Sequence, residues 1–154
     1  MSAVINDKIK ELLKQKDTLK VVASVDKEGI PHVTFKGTVN VNEEGQITFL
    51  EILESSQTNR NLTNSIWFEK IVAITILGTD KTSYQIKGIP KRAIISGPLF
   101  EETYIRVQEK FGDVDLAAIW VIDPVEVREE TFQARLEEER KQFPIIGHLD
   151  RFAI

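Results

Sequence analysis

The sequence predicts a mostly β or α+β domain, an antiparallel barrel or sandwich with helices at its periphery. Three observations lead there. Runs rich in valine, isoleucine and threonine follow one another through short turns, with few long crossovers. No strand–glycine loop–helix of the dinucleotide type and no Walker lysine loop occurs, which argues against a doubly wound α/β fold. The 154 residues, 42% apolar and 29% charged, carry no repeat and no Pro/Gly/Ser linker, so residues 1–154 read as one domain.

The elements follow in chain order. Val4, Ile5, Ile9, Leu12 and Leu13 recur at helical spacing with Lys and Glu between them, predicting an amphipathic helix over Asn6–Lys16. Thr18–Asp26 reads as a strand, Lys27-Glu28-Gly29 as a turn and Ile30–Val41 as one continuous second strand. Asn42-Glu43-Glu44-Gly45 is a hairpin signal, and Gln46–Leu53 is the return strand. Gln57–Ile66 is polar with Leu62 and Ile66 four apart, a short helix capped by Ser55 or Ser56. The near-continuous apolar run Ile71–Gly78 suggests a strand buried on both faces.

Ser83–Ser96 is a long strand in which Gly88 and Pro90 call for a bulge or bend. Gly97-Pro98 opens a helix over Leu99–Phe111, with Gly112 as its C-cap. Leu116–Asp123 is the last clear strand. Thr131–Gln142 is a charged helix with few apolar positions (Phe132, Leu136), stopped ahead of Pro144. The strand-bearing core thus spans about residues 19–122, and residues 124–154 are expected to form a C-terminal helix and tail.

Composition narrows the chemistry. With no cysteine, thiolate catalysis, disulfides and Cys-ligated metal are excluded, and with two histidines, His32 and His148, no metal site is expected. A net charge of −4 argues against a nucleic-acid partner. No apolar run approaches a membrane span, and the opening residues Met1–Asp7 lack the basic start and apolar stretch of a signal peptide. The expectation is a cytoplasmic protein without a membrane partner.

Three segments could carry function. In Pro31–Gly37, Thr34 and Lys36 are two apart and share a strand face. The run Ser55-Ser56-Gln57-Thr58-Asn59-Arg60-Asn61 puts hydroxyls, amides and a cation at a helix start, where free N–H groups and the dipole favour an anion. In Thr82–Gly88, Gln85 and Lys87 share one face, and Gly88 permits close approach of a ligand or backbone. The plain alternatives are an ordinary strand, a well-capped loop and a bulge.

The order of ASVDKEGIPHVTFKG, ITFLEI, SQTNRNLTNS, VAITIL, YQIKGIPKRAI and SGPLFEETY, from about Leu19 to Trp120, resembles the pyridoxamine 5′-phosphate oxidase-like FMN-binding split β-barrels. It looks most like their small flavin-nucleotide-binding branch. The resemblance implies an antiparallel six-stranded split β-barrel with peripheral helices, a homodimer, and FMN at the subunit interface. Thr34, Phe35 and Lys36 match the strand that lines the flavin. Ser56, Gln57 and Thr58 match the phosphate-holding helix start, with Gln57 where the family often has a cation, and Asn61 matches an amide-bearing helix position.

Lys36, Arg60 or Lys87 would then supply the phosphate's counter-charge. In such proteins the cofactor carries the redox chemistry, so the scarcity of histidine is no obstacle. The implied function is a flavin-dependent oxidoreductase acting on a small molecule, with NAD(P)H as a candidate electron donor. Its alternative is a non-enzymatic dimer that stores flavin, a deazaflavin or haem. The catalytic residues stay unassigned. The tail Ile145–Ile154 lacks the arginine-rich substrate segment of the vitamin B6 enzymes, and it is expected to pack on the dimer or bring His148 or Arg151 to a partner's flavin. Trp67, Phe68 and Trp120 are expected in core or interface rather than stacked on a flavin.

Overall fold

The computed structural model describes residues 3–144; the tail, with His148 and Arg151, lies outside them. A single antiparallel sheet of seven strands curls into a barrel in the order β2-β1-β5-β6-β7-β4-β3. The strands are β1 (Leu19–Val25), β2 (Pro31–Phe35), β3 (Asn40–Val41), β4 (Ile47–Glu51), β5 (Val72–Leu77), β6 (Ser83–Ile94) and β7 (Ala118–Glu129). Four helices accompany them: α1 (Asp7–Lys14), α2 (Gln57–Phe68), α3 (Pro98–Phe111) and α4 (Phe132–Gln142). No described helix is long and apolar enough to cross a membrane.

Six strands are predicted and seven are found because the second one breaks. Ile30–Val41 is not continuous: it leaves one edge of the sheet after Phe35 and joins the opposite edge at Asn40. This break is what curls the sheet. Flat, seven strands at ~4.8 Å spacing would hold their edges about 29 Å apart. The chain from Phe35 to Asn40 reaches at most about 18 Å. At the crossing the Lys36 N–H still donates to the Lys20 carbonyl, at 2.9 Å. The Thr38 hydroxyl then takes over the ladder on the other side, accepting from the Leu50 N–H at 2.9 Å.

The barrel interior is the main core. Val22, Ile47, Phe49, Ile74, Ile76, Ile86, Trp120 and Ile122 are all buried inward-facing strand residues. Helix α1 contributes Ile9, Leu12 and Leu13 to that core. Asn6 caps α1 by accepting from the Ile9 N–H at 2.9 Å. Helix α2 packs on β1, β2 and β6 and adds Leu62. Helix α3 lies outside, on a second small core of Val107, Leu116 and Ile119. Helix α4 buries none of its residues.

Two further expectations change. β5 alternates rather than burying both faces: Val72, Ile74 and Ile76 are buried, while Ala73, Thr75 and Leu77 are half-exposed. Antiparallel pairing with β1 and β6 sends its alternate side chains into the core and away from it. β7 runs past Asp123 to Glu129, because its second half pairs with the start of β6 (Ile86 opposite Val127). The expected bulges in β6 are present, at Lys87/Gly88 and Pro90/Arg92.

Candidate functional site

The helix start that the sequence singles out is built on Ser56. Its Oγ accepts from the Asn59 N–H at 3.0 Å, which makes Ser56 rather than Ser55 the N-cap. The Arg60 N–H goes to the Ser56 carbonyl. Helix geometry leaves the N–H groups of Gln57 and Thr58 directed out of the end without intrahelical acceptors. Arg60 folds back over this end, donating from Nη2 to the Ser55 carbonyl at 3.1 Å. Thr58 is buried, at 1% exposure, and its hydroxyl has no hydrogen-bond partner.

Behind the helix start runs a buried polar relay. Gln57 Nε2 donates to Asn61 Oδ1 at 2.7 Å, and Asn61 Nδ2 donates to Ser24 Oγ on β1 at 3.0 Å. Asn61 thus uses both its amide oxygen and its amide nitrogen in this relay and holds Gln57 from within. On the other side, Trp120 Nε1 donates to Asn59 Oδ1 at 3.0 Å, tying β7 to α2. Trp120 is 1% exposed and belongs to the core, as expected. Trp67 and Phe68 belong to the last turn of α2 and not to the segment after it; both stand in the open.

The strand residues divide between the two faces of β2. Thr34 is half-buried toward the barrel interior, whereas Phe35 is 70% exposed on the outer face beside Val33. Lys36 turns inward: Nζ lies 2.7 Å from Glu51 Oε2, and Glu51 is almost fully buried. Glu51 Oε1 also accepts from the Leu53 N–H at 3.3 Å, and the Leu53 carbonyl accepts from the Ser56 N–H at 3.0 Å. Glu51 therefore links the end of β2 to the loop that delivers α2.

Glu51 is the residue sequence reasoning passed over. Its signal is alternation: Ile47, Phe49 and Glu51 share one face, and a carboxylate in register with core residues demands a cation. Of the three candidate counter-charges, Lys36 is held by Glu51, and Lys87 lies 3.8 Å from Glu126. Arg60 is the one placed at the helix start. The residues present thus fit one phosphate at α2, through the unpartnered Thr58 hydroxyl, two helix N–H groups and Arg60.

No protein-family model matches the chain, and no curated protein matches it in sequence. Solved structures do match. HupZ of Group A Streptococcus is 18% identical with a TM-score of 0.69, over 84% of this chain and 96% of that one. A putative pyridoxamine 5′-phosphate oxidase of Lactobacillus delbrueckii is 17% identical, TM-score 0.64, over 81% and 93%. An FMN-binding protein of Syntrophomonas wolfei is 11% identical, TM-score 0.64, over 80% and 84%. The heme storage protein HutZ of Vibrio cholerae shares the architecture at 16% identity and TM-score 0.56, over 82% and 95%. Likeness at these identities speaks to the fold: the chain folds as a pyridoxamine 5′-phosphate oxidase-like split β-barrel.

Proposed function

We propose that the chain is a cytoplasmic homodimer that binds FMN and acts as a flavin-dependent oxidoreductase on a small molecule, with NAD(P)H as electron donor. The observation that carries this reading is the Thr58 hydroxyl, buried without a partner at the start of α2. The phosphate is held there by Thr58, the N–H groups of Gln57 and Thr58, and Arg60, while Ser56 fixes the helix end. The exposed outer strip of β2, with Val33 and Phe35, supplies an apolar wall for the ring or for the second subunit. Thr34 and Lys36 support that strand from inside. When bound, FMN supplies hydride and single-electron chemistry; the chain's residues position it and exclude water.

The test is a titration of FMN fluorescence against the purified protein, with native mass spectrometry of the loaded species. Quenching at micromolar concentration with one FMN per chain in a dimer is expected. Unquenched fluorescence, or a monomer at tens of micromolar, overturns the reading.

A second reading is a storage dimer for flavin, deazaflavin or haem without turnover. It is favoured by the Lys36–Glu51 pair, which takes one cation out of the site, and by the fold shared with a heme storage protein. Addition of NADH or NADPH to the flavin-loaded protein separates the two. Repeated bleaching and recovery supports the enzyme, and a stable yellow colour supports storage.

A further inference from the structure

Five residues, Ile52–Ser56, join β4 to α2, and none of them lies in a strand or helix. Such a connection has no ladder of its own, so side chains that bond its backbone set its direction. Three do so on consecutive residues. Glu51 Oε1 accepts from the Leu53 N–H at 3.3 Å, Asn59 Nδ2 donates to the Glu54 carbonyl at 3.0 Å, and Arg60 Nη2 donates to the Ser55 carbonyl at 3.1 Å. Asn59 carries the hold into the barrel: its Oδ1 accepts from Trp120 Nε1 at 3.0 Å. Trp120 is a buried post on β7, paired with Phe49 of β4 on one side and Ala93 of β6 on the other.

The two partners of Asn59 demand an amide. An indole N–H only donates and a backbone carbonyl only accepts, so the Asn59 oxygen must face Trp120 and its nitrogen must face Glu54. An ionised aspartate of the same size has nothing to donate to Glu54, and a leucine bonds to neither. The backbone N–H of Asn59 also donates to Ser56 Oγ at 3.0 Å. One residue therefore fixes the helix cap, the loop ahead of the cap and the placement of both against β7.

We propose that Asn59 is a positioning residue: held by the Trp120 indole N–H, it aims the first turn of α2 so that the Gln57 and Thr58 N–H groups and the Thr58 hydroxyl converge on one phosphate. This rests on the phosphate site argued above. The Asn59 amide is committed at both ends, so it acts through those donors and not on the ligand. Aim matters because a hydrogen bond weakens steeply once its donor turns away from the acceptor. A bond that only steadied the fold would affect every ligand alike. Aiming the helix start affects only ligands that carry a phosphate.

The test compares FMN with riboflavin, the same flavin without its phosphate, by fluorescence titration against the full chain and its variants. The wild type is expected to bind FMN more tightly. Asn59→Leu is expected to narrow that preference about tenfold, the worth of one or two hydrogen bonds, and to leave riboflavin affinity unchanged. Trp120→Phe keeps an aromatic ring in the core and removes the N–H, and it should narrow the preference in the same direction. The double variant should do no more than Asn59→Leu, because both changes cut one link. Trp120→Phe carries the test if Asn59→Leu misfolds. A wild type that binds both flavins equally overturns the phosphate site and this proposal with it. A wild type that prefers FMN, with variants that keep the full preference or lose affinity for both flavins alike, overturns the positioning role alone.

Discussion

Lys36 and Glu51 meet across the seam of the barrel. Lys36 ends the stretch that leaves one edge strand, Glu51 ends β4, and their side chains close to 2.7 Å inside the wall. The Lys36 Nζ also lies 5.9 Å from the centre of the Phe49 ring. The pair thus fastens the point where the chain crosses between sheet edges, and it does so with charges largely withdrawn from water.

Breaking this pair from one side leaves a buried charge without its partner. Lys36→Met should cost about 3 kcal/mol or more, because Glu51 then keeps only the Leu53 N–H. Lys36→Met combined with Glu51→Gln should cost less than the sum of the two single changes, since no unpaired ion remains. Urea unfolding of the four proteins measures this; strict additivity would show that the pair does not couple.

Thr58 allows stability and binding to be separated. Its hydroxyl has no partner, so Thr58→Val removes a buried polar group that makes no bond. Stability should stay level or rise slightly. FMN affinity should fall about fivefold, the worth of roughly one hydrogen bond of about 1 kcal/mol. A variant that loses stability and keeps its FMN affinity would remove Thr58 from the phosphate site.

Gly88 sits at a bulge where β6 and β7 approach closely. A Cβ there would lie 2.5 Å from Ile122 Cγ2 and 2.7 Å from the Asp123 carbonyl oxygen. The carbonyl belongs to backbone and cannot swing aside, so Gly88→Ala should cost about 1–3 kcal/mol by overpacking. Thermal unfolding checks it. Gly37→Ala is the control, since nothing lies within 4 Å of its Cβ position.

How far these features could be read beforehand depended on range along the chain. Local signals sufficed for a serine cap at Ser55 or Ser56, the Gly88 bulge and α3 between Gly97 and Gly112, because each rests on neighbours within a few residues. The break at Lys36–Val39 was not legible: Thr38, Val39, Asn40 and Val41 alternate as well as any strand, and only the need to join two distant edges interrupts them. The extension of β7 past Pro124 depends on pairing with β6 some forty residues earlier. At the site, the identities at the start of α2 were readable, but the capture of Lys36 by Glu51 is a contact across fifteen residues. The alternation of Ile47, Phe49 and Glu51 announced only its acidic half.

Lys20 gives a pH signature whose sign is opposite to that of a lysine with a carboxylate partner. Its ammonium is half-withdrawn from water, donating to the carbonyls of Leu13 at 3.0 Å and Gly37 at 3.2 Å. Burial, first, and the nearby Lys110 charge, second, pull its pKa below the ordinary 10.5. Below the lowered folded value Lys20 is charged in both folded and unfolded chains, and the folded chain bears the desolvation and repulsion in full. Above the lowered folded pKa the native protein releases this proton while the unfolded chain still holds it. The unfolded state then binds more protons, so stability rises with pH until the ordinary value is reached. Lys20→Met keeps most of the aliphatic stem and removes the titration. The stability of the wild type relative to Lys20→Met should therefore increase between neutral pH and pH 10.5, and Lys110→Gln should make that rise shallower. Urea unfolding across this range measures both, and parallel profiles for wild type and Lys20→Met would show that burial leaves Lys20 unperturbed.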